Sequence, residues 1–174
     1  KMLKNAPDAV IKTASKLKWT SVRCINIGIK YKKEIPANIK GRHWIYMPEK
    51  QFPFYRVGVY SNANPKLAPK NCYGLYVEFS GKDNVFLNCS DTIKYLKKAG
   101  MIGDGDEILT ANIVDMPYAY VIFDQNRQKA VDTITDFLNS NGIYTLGRYA
   151  RWEYSFIEKN ITDAKKLAER PEFK

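Results

Sequence analysis

The chain has 174 residues, with 28 lysines and arginines against 18 aspartates and glutamates, a formal net charge of +10. At 45% apolar, 26% charged and 13% aromatic, the composition excludes a disordered tail or a collagen-like repeat, and the length suffices to bury a core without staples. No apolar run approaches the ~18 residues of a membrane span, and Lys1-Met2-Leu3-Lys4 leads into a polar stretch, not a secretory leader.

Pro7 precedes a short helix expected over Asp8 to Leu17, where Val10, Ala14 and Leu17 recur at helical spacing. The period then changes to two. In Val22 to Tyr31, Ile25, Ile27, Ile29 and Tyr31 share one face of a strand, and Cys24, Asn26 and Gly28 share the other. Ile35 to Arg42 reads as connection, and Trp44 to Met47 as a strand stopped by Pro48. Phe54 to Tyr60 is the next strand, followed by a Pro- and Asn-rich loop over Ser61 to Asn71. Tyr73, Leu75, Val77 and Phe79 alternate in a further strand. Asp91 is expected to cap a helix bearing Ile93, Leu96 and Ala99, which ends near Gly100. Glu107 to Val114 and Tyr118 to Phe123 read as two strands separated by Pro117. Ala130, Val131, Ile134, Phe137 and Leu138 form the stripe of a helix closed by Asn141-Gly142. Ile143 to Leu146 reads as a short strand, Arg148 to Tyr154 as a polar-aromatic stretch, and Asn160 as the cap of a last helix. Strands bunched ahead of helices favour an α+β fold with a largely antiparallel sheet.

Several chemistries are missing. There is no G-x-G-x-x-G and no G-x-x-x-x-G-K-[ST], hence no phosphate cradle of backbone amides. The lone histidine, His43, sits in a strand-like run and reads as structural or on the surface, not as a general base. Asp104, Asp106 and Glu107 lack calcium-loop spacing and read as a turn. Cys24, Cys72 and Cys89 are odd in number and lack metal-ligand spacing, so they read as reduced cytosolic thiols, with no metal site.

Two segments carry chemistry. Arg56 stands between apolar strand neighbours and needs an anionic partner, because an unpaired buried guanidinium is costly. A phosphate would serve, and so would a carboxylate such as Glu49. Gly147-Arg148-Tyr149-Ala150-Arg151-Trp152-Glu153-Tyr154 crowds donors and flat rings after a glycine that permits close backbone approach. The competing reading is an amphipathic surface strand.

Trp44-x-Tyr46-x-Pro48-Glu49, Pro53-Phe54-Tyr55-Arg56 and Val59-Tyr60-Ser61-Asn62 together resemble the UDP-galactopyranose mutases, especially the eukaryotic-type ones. Tyr118-Ala119-Tyr120, then Tyr144-x-Leu146-Gly147-Arg148 and Trp152-x-Tyr154, resemble the carboxy-terminal part of the same family. That family belongs to the wider flavin-containing amine oxidase and protoporphyrinogen oxidase-like group. The resemblance covers nearly the whole chain, in order. Its amino-terminal dinucleotide fingerprint is not in this sequence, so the resemblance implies a carboxy-terminal fragment.

On that basis residues 1–140 would be the substrate-binding portion and residues 141–174 the last strand and helix of an FAD-binding domain. Arg56 matches the arginine that binds the sugar-nucleotide diphosphate, and Tyr120 and Tyr154 match tyrosines that hydrogen-bond it. Trp44 and Tyr46 match aromatic residues of the same pocket. Gly147 and Arg148 match the place where the last strand meets the flavin. Val121 and Ala150 depart from the usual proline and glycine, and no histidine follows Tyr154. The implied parent is a cytoplasmic FAD-dependent mutase, or an oxidoreductase of polysaccharide biosynthesis, acting on a nucleotide-linked sugar. Its partners would be that sugar, the missing amino-terminal FAD domain and a second copy in a homo-oligomer. The fragment alone would hold no FAD and turn over no substrate. The alternative is a non-catalytic module for a polyanion or nucleic acid. It rests on the +10 charge and interleaved aromatics, without an RNA-recognition or helix-turn-helix signature.

Overall fold

Apolar residues at every second position oblige an extended chain to bury one face. Five strands form one sheet, and three of them bury apolar residues in this way. The computed structural model describes residues 5–80 and 87–173, so Lys1-Met2-Leu3-Lys4 lies outside the described residues. The elements are α1 (Asp8–Ala14), β1 (Trp19–Lys30), β2 (Trp44–Tyr46), β3 (Arg56–Val59), α2 (Tyr60–Ala63), β4 (Cys72–Ser80), α3 (Cys89–Lys98), β5 (Glu107–Val121), α4 (Arg127–Ser140), α5 (Gly147–Ala150) and α6 (Ile157–Ala168). The strand order is β2-β3-β4-β1-β5, and the β2/β3, β3/β4 and β4/β1 pairs are antiparallel. This is the expected α+β fold, an antiparallel sheet with flanking helices.

The chain divides into two compact units. One is Ser21–Pro117. Its core is the face that alternation picked out. Ile25, Ile27 and Ile29 lie opposite Val77, Leu75 and Tyr73, and Val57 lies on the other side of Val77. All are buried, and Leu96 of α3 with Ile39, Phe54, Met101 and Ile102 completes the core. Burying such side chains contributes roughly 1.5–3 kcal/mol each. Asp106 ties the far end of this unit together. It accepts from the Lys32 and Gly103 backbone N–H groups and from the Tyr73 hydroxyl at 3.1, 2.9 and 3.0 Å.

The other unit is Lys1–Thr20 with Tyr118–Lys174. Here α1 packs on α4, and Ala119, Val121 and Ala130 are buried. No described helix is long and apolar enough to cross a membrane.

Several elements differ from the periodicity reading. Pro117 does not split β5, which runs unbroken over 15 residues. β5 is the outermost strand, where a missing N–H is tolerated. The cap of α3 is Asn88, whose side chain accepts from the Asp91 N–H at 2.8 Å, while Asp91 pairs with Lys94. α6 begins at Ile157, three residues ahead of Asn160, which instead accepts from the Ser155 hydroxyl at 2.7 Å. α1 ends at Ala14 rather than Leu17. Residues 143–146 are not a strand, because a strand needs a hydrogen-bonded neighbour and none of the described strands pairs with them. Arg148 begins no extended stretch but belongs to the short helical turn α5. The expected close of α4 holds: Asn141 is the C-cap and Gly142 follows with φ +70°.

Candidate functional site

In the Ser21–Pro117 unit, the residues between the core positions form the opposite face of the sheet. Register places Tyr46 opposite Arg56, Arg56 opposite Glu78, and Glu78 opposite Cys24. The Arg56 Nε donates to the Glu78 carboxylate. The two side chains are only 20% and 10% exposed, so this is a largely desolvated pair. The carboxylate comes from the neighbouring strand, not from Glu49 in the turn. The Arg56 guanidinium lies 5.9 Å from the Tyr46 ring centroid and 5.8 Å from that of Tyr55. Trp44 and Tyr46 are 58% and 61% exposed, flat surface platforms on the edge strand beside the buried pair.

Glycine clears space on this face. A Cβ on Gly58 would come within 1.9 Å of the Tyr76 ring, so Tyr76 lies directly across the Gly58 backbone. Tyr76 also packs at 4.7 Å against Tyr60, whose hydroxyl donates to the Asn26 side chain at 3.1 Å. Burial, reinforced by the Glu78 charge, pushes the Cys24 thiol up to about 11.

The second cluster belongs to the other unit. Tyr120 lies at the end of β5, one residue before its last, Arg148 lies in α5, and Tyr154 follows it. Local geometry brings all three together. The Arg148 guanidinium lies 4.9 Å from the Tyr120 ring and 5.5 Å from the Tyr154 ring. Its Nη2 donates to the Ala119 carbonyl at 3.1 Å. Its Nε is buried and makes no hydrogen bond among the described residues. Such a donor costs roughly 1–3 kcal/mol until an acceptor reaches it. Gly147 adopts φ +83°, and a Cβ there would meet nothing within 4 Å.

Arg127 holds this turn in place. Its Nε and Nη2 donate to the Trp152 carbonyl at 2.8 and 2.6 Å, and Trp152 carries φ +49°. A left-handed bulky residue costs about 1–2 kcal/mol, and the two charge-assisted bonds offset it. The Arg127 guanidinium also lies 4.2 Å over Phe123, which stacks on Tyr154 at 5.3 Å with an interplanar angle of 4°. Lys18 holds Asp124 below the usual carboxylate range. Asp124 in turn accepts from the Asn126 and Arg127 N–H groups, each at 3.0 Å, ahead of α4.

The structure therefore gathers Tyr46 with Arg56 in one unit and Tyr120, Arg148 and Tyr154 in the other. Trp44 shares a strand face with Tyr46, and Gly147 adjoins Arg148. Sequence reasoning missed Glu78, Phe123 and Arg127. Glu78 had a signal: a carboxylate alternating with Val77 and Phe79 in an otherwise apolar strand. Arg127 had none, because its target is a backbone carbonyl 25 residues away. Among the described residues no group of His, Cys, Asp and Glu could hold a metal ion.

The chain is similar to the solved structure of reduced UDP-galactopyranose mutase, at 26% identity and a TM-score of 0.71, over 82% of this chain and 31% of that one. A protein assigned as a protoporphyrinogen oxidase, from an Exiguobacterium species, matches over 89% of this chain and 36% of that one, with a TM-score of 0.56. At 9% identity the second likeness shows the fold alone. The resemblance read from the motifs thus holds for the backbone as well. The chain spans about a third of the length of these two structures. No protein-family model matches it.

Proposed function

We propose that this chain supplies the sugar-nucleotide, diphosphate-binding part of an FAD-dependent mutase or oxidoreductase, and that it is inactive by itself. The reading assigns residues 1–140 to substrate binding and residues 141–174 to the close of a flavin domain. The observation that supports it most is the Arg148 guanidinium set against the rings of Tyr120 and Tyr154. The motif resemblance assigns Tyr120 and Tyr154 to the diphosphate and Arg148 to the adjoining place where the last strand meets the flavin. A diphosphate takes charge-assisted bonds from a guanidinium and neutral bonds from tyrosine hydroxyls. In the other unit, Tyr46, Trp44 and Arg56 offer the same combination, with Glu78 holding the Arg56 guanidinium in a fixed orientation.

Gly147 and Arg148 are the residues that would hold the flavin. An unobstructed left-handed glycine beside a buried donor without an acceptor fits the edge of a flat heterocycle with acceptor atoms. FAD, when bound, supplies the redox chemistry. The chain's own residues position the sugar nucleotide and balance its charge.

Saturation-transfer NMR with UDP-galactose tests the reading. We expect saturable binding, and Arg148→Ala to weaken it about tenfold or more, the loss of one charge-assisted contact. Arg148→Lys should restore little, because an ammonium does not match the planar stack. Binding that is absent, or that is indifferent to Arg148, refutes the reading. Tight single-stranded RNA retention in its place would favour a polyanion module.

A further inference from the structure

We infer that the Lys1–Thr20 and Tyr118–Lys174 unit carries a second anion site, for a small phosphate-bearing ligand, separate from the Arg148 cluster. A pocket of about 200 Å³ is lined by Thr135, Asn139, Thr145, Arg151, Lys166 and Arg170, with Tyr144, Leu146, Asp163 and Leu167 completing its wall. None of the residues assigned to sugar-nucleotide or flavin binding lines it. Three cations face one carboxylate, a net of two positive charges. That carboxylate is already engaged: Asp163 takes the Lys159 ammonium and the Arg151 guanidinium, and this pairing holds it below the ordinary carboxylate range.

Lys166 makes no ion pair among the described residues. Arg170 has only a loose contact at 3.7 Å with exposed Glu172. Its guanidinium is held instead 5.4 Å from the Tyr144 ring, and Phe173 packs edge-on against that ring at 5.1 Å. An arginine set against an aromatic ring is pre-oriented for bidentate contact with phosphate oxygens. The threonine hydroxyls and the Asn139 amide are neutral donors of the kind that complete a phosphate shell. A cavity of that size leaves room for a phosphate and a small part of whatever bears it.

The test is an amide chemical-shift titration of the intact chain with inorganic phosphate, at constant ionic strength against chloride. We expect saturable shifts centred on Thr145, Leu146 and Leu167. Lys166→Gln should weaken binding about tenfold, as for one charge-assisted contact. Lys165→Gln makes the same charge change on the same helix but lies outside the pocket, and it should leave the affinity within about twofold if screening alone acts on it. Both lysines are exposed, so neither variant should unfold the chain. Equal losses in the two variants, or linear shifts spread over all lysines, would show diffuse charge and overturn the site. UDP that shifts the Arg148 region but not this pocket would leave the proposal standing, because the two sites are read by different resonances.

Discussion

Replacing Arg56 by Met and Glu78 by Gln, singly and together, reads the energetics of the cross-strand pair. Removing one partner of a buried pair costs about 3–5 kcal/mol, and a surface pair is worth about 0–1 kcal/mol. With side chains 20% and 10% exposed, this pair lies nearer the buried limit. Arg56→Met leaves a carboxylate on a largely buried face beside Cys24, and we expect a loss of about 2–4 kcal/mol. Glu78→Gln keeps an acceptor for Nε, so about 1–2 kcal/mol is expected. The double variant should recover at least about 1 kcal/mol of the summed losses, since no charge is then stranded. Urea unfolding gives each value, with an unchanged slope against denaturant marking an unchanged native state. For a chain of this size 1 kcal/mol moves the melting temperature by about 2–4 °C, so Arg56→Met should fall by roughly 4–16 °C. Additive single effects, within about 0.5 kcal/mol, would refute a coupled pair. The same variants bear on function: if Arg56 binds a diphosphate, Glu78→Gln should tighten UDP, because a competing anion is gone.

Two further outcomes follow from the titrating groups. Burial alone would raise the Asp106 carboxyl, but the Lys32 and Gly103 N–H groups and the Tyr73 hydroxyl outweigh it and hold it low. A depressed folded pKa adds stability above the unfolded value of about 3.9, and that stability is lost as pH falls through the folded value. Asp106→Ala should therefore destabilise by about 1–3 kcal/mol at neutral pH, with the gap to the parent protein narrowing below pH ~4; a gap independent of pH in urea titrations would contradict this. Cys24, with its thiol at about 11, is about one part in a thousand thiolate at pH 8. Alkylation followed by peptide mass spectrometry should label half-buried Cys72 and Cys89 well before Cys24. Equal labelling in the folded protein would show that the sheet face is open.

Local pattern determined much of this protein. The alternation of Ile25, Ile27, Ile29, Tyr73, Leu75, Val77 and Phe79 identified the buried face of the sheet, because side chains in a strand have a strict period of two. It also set Arg56 on the opposite face. The α4 stripe and its Asn-Gly close were equally legible, being properties of consecutive residues. The motif order pointed to a mutase-like backbone at an identity where composition says nothing.

Tertiary structure decided the rest. That Pro117 sits inside β5 depends on β5 being the outermost strand, and strand order is not written in any one segment. Residues 143–146 have the composition of a strand, but extended chain becomes sheet only beside a neighbour. Arg56 needed an anion; only register, set by β3 and β4 pairing, chose Glu78 over Glu49. Arg148 reaches Tyr120 and Tyr154 because α5 turns the chain back, and Arg127 fixes that turn through a backbone carbonyl, a partner that no side-chain pattern encodes. Residue chemistry is local and can be read along the chain. The choice of partner depends on contacts distant in sequence, and the fold alone makes them.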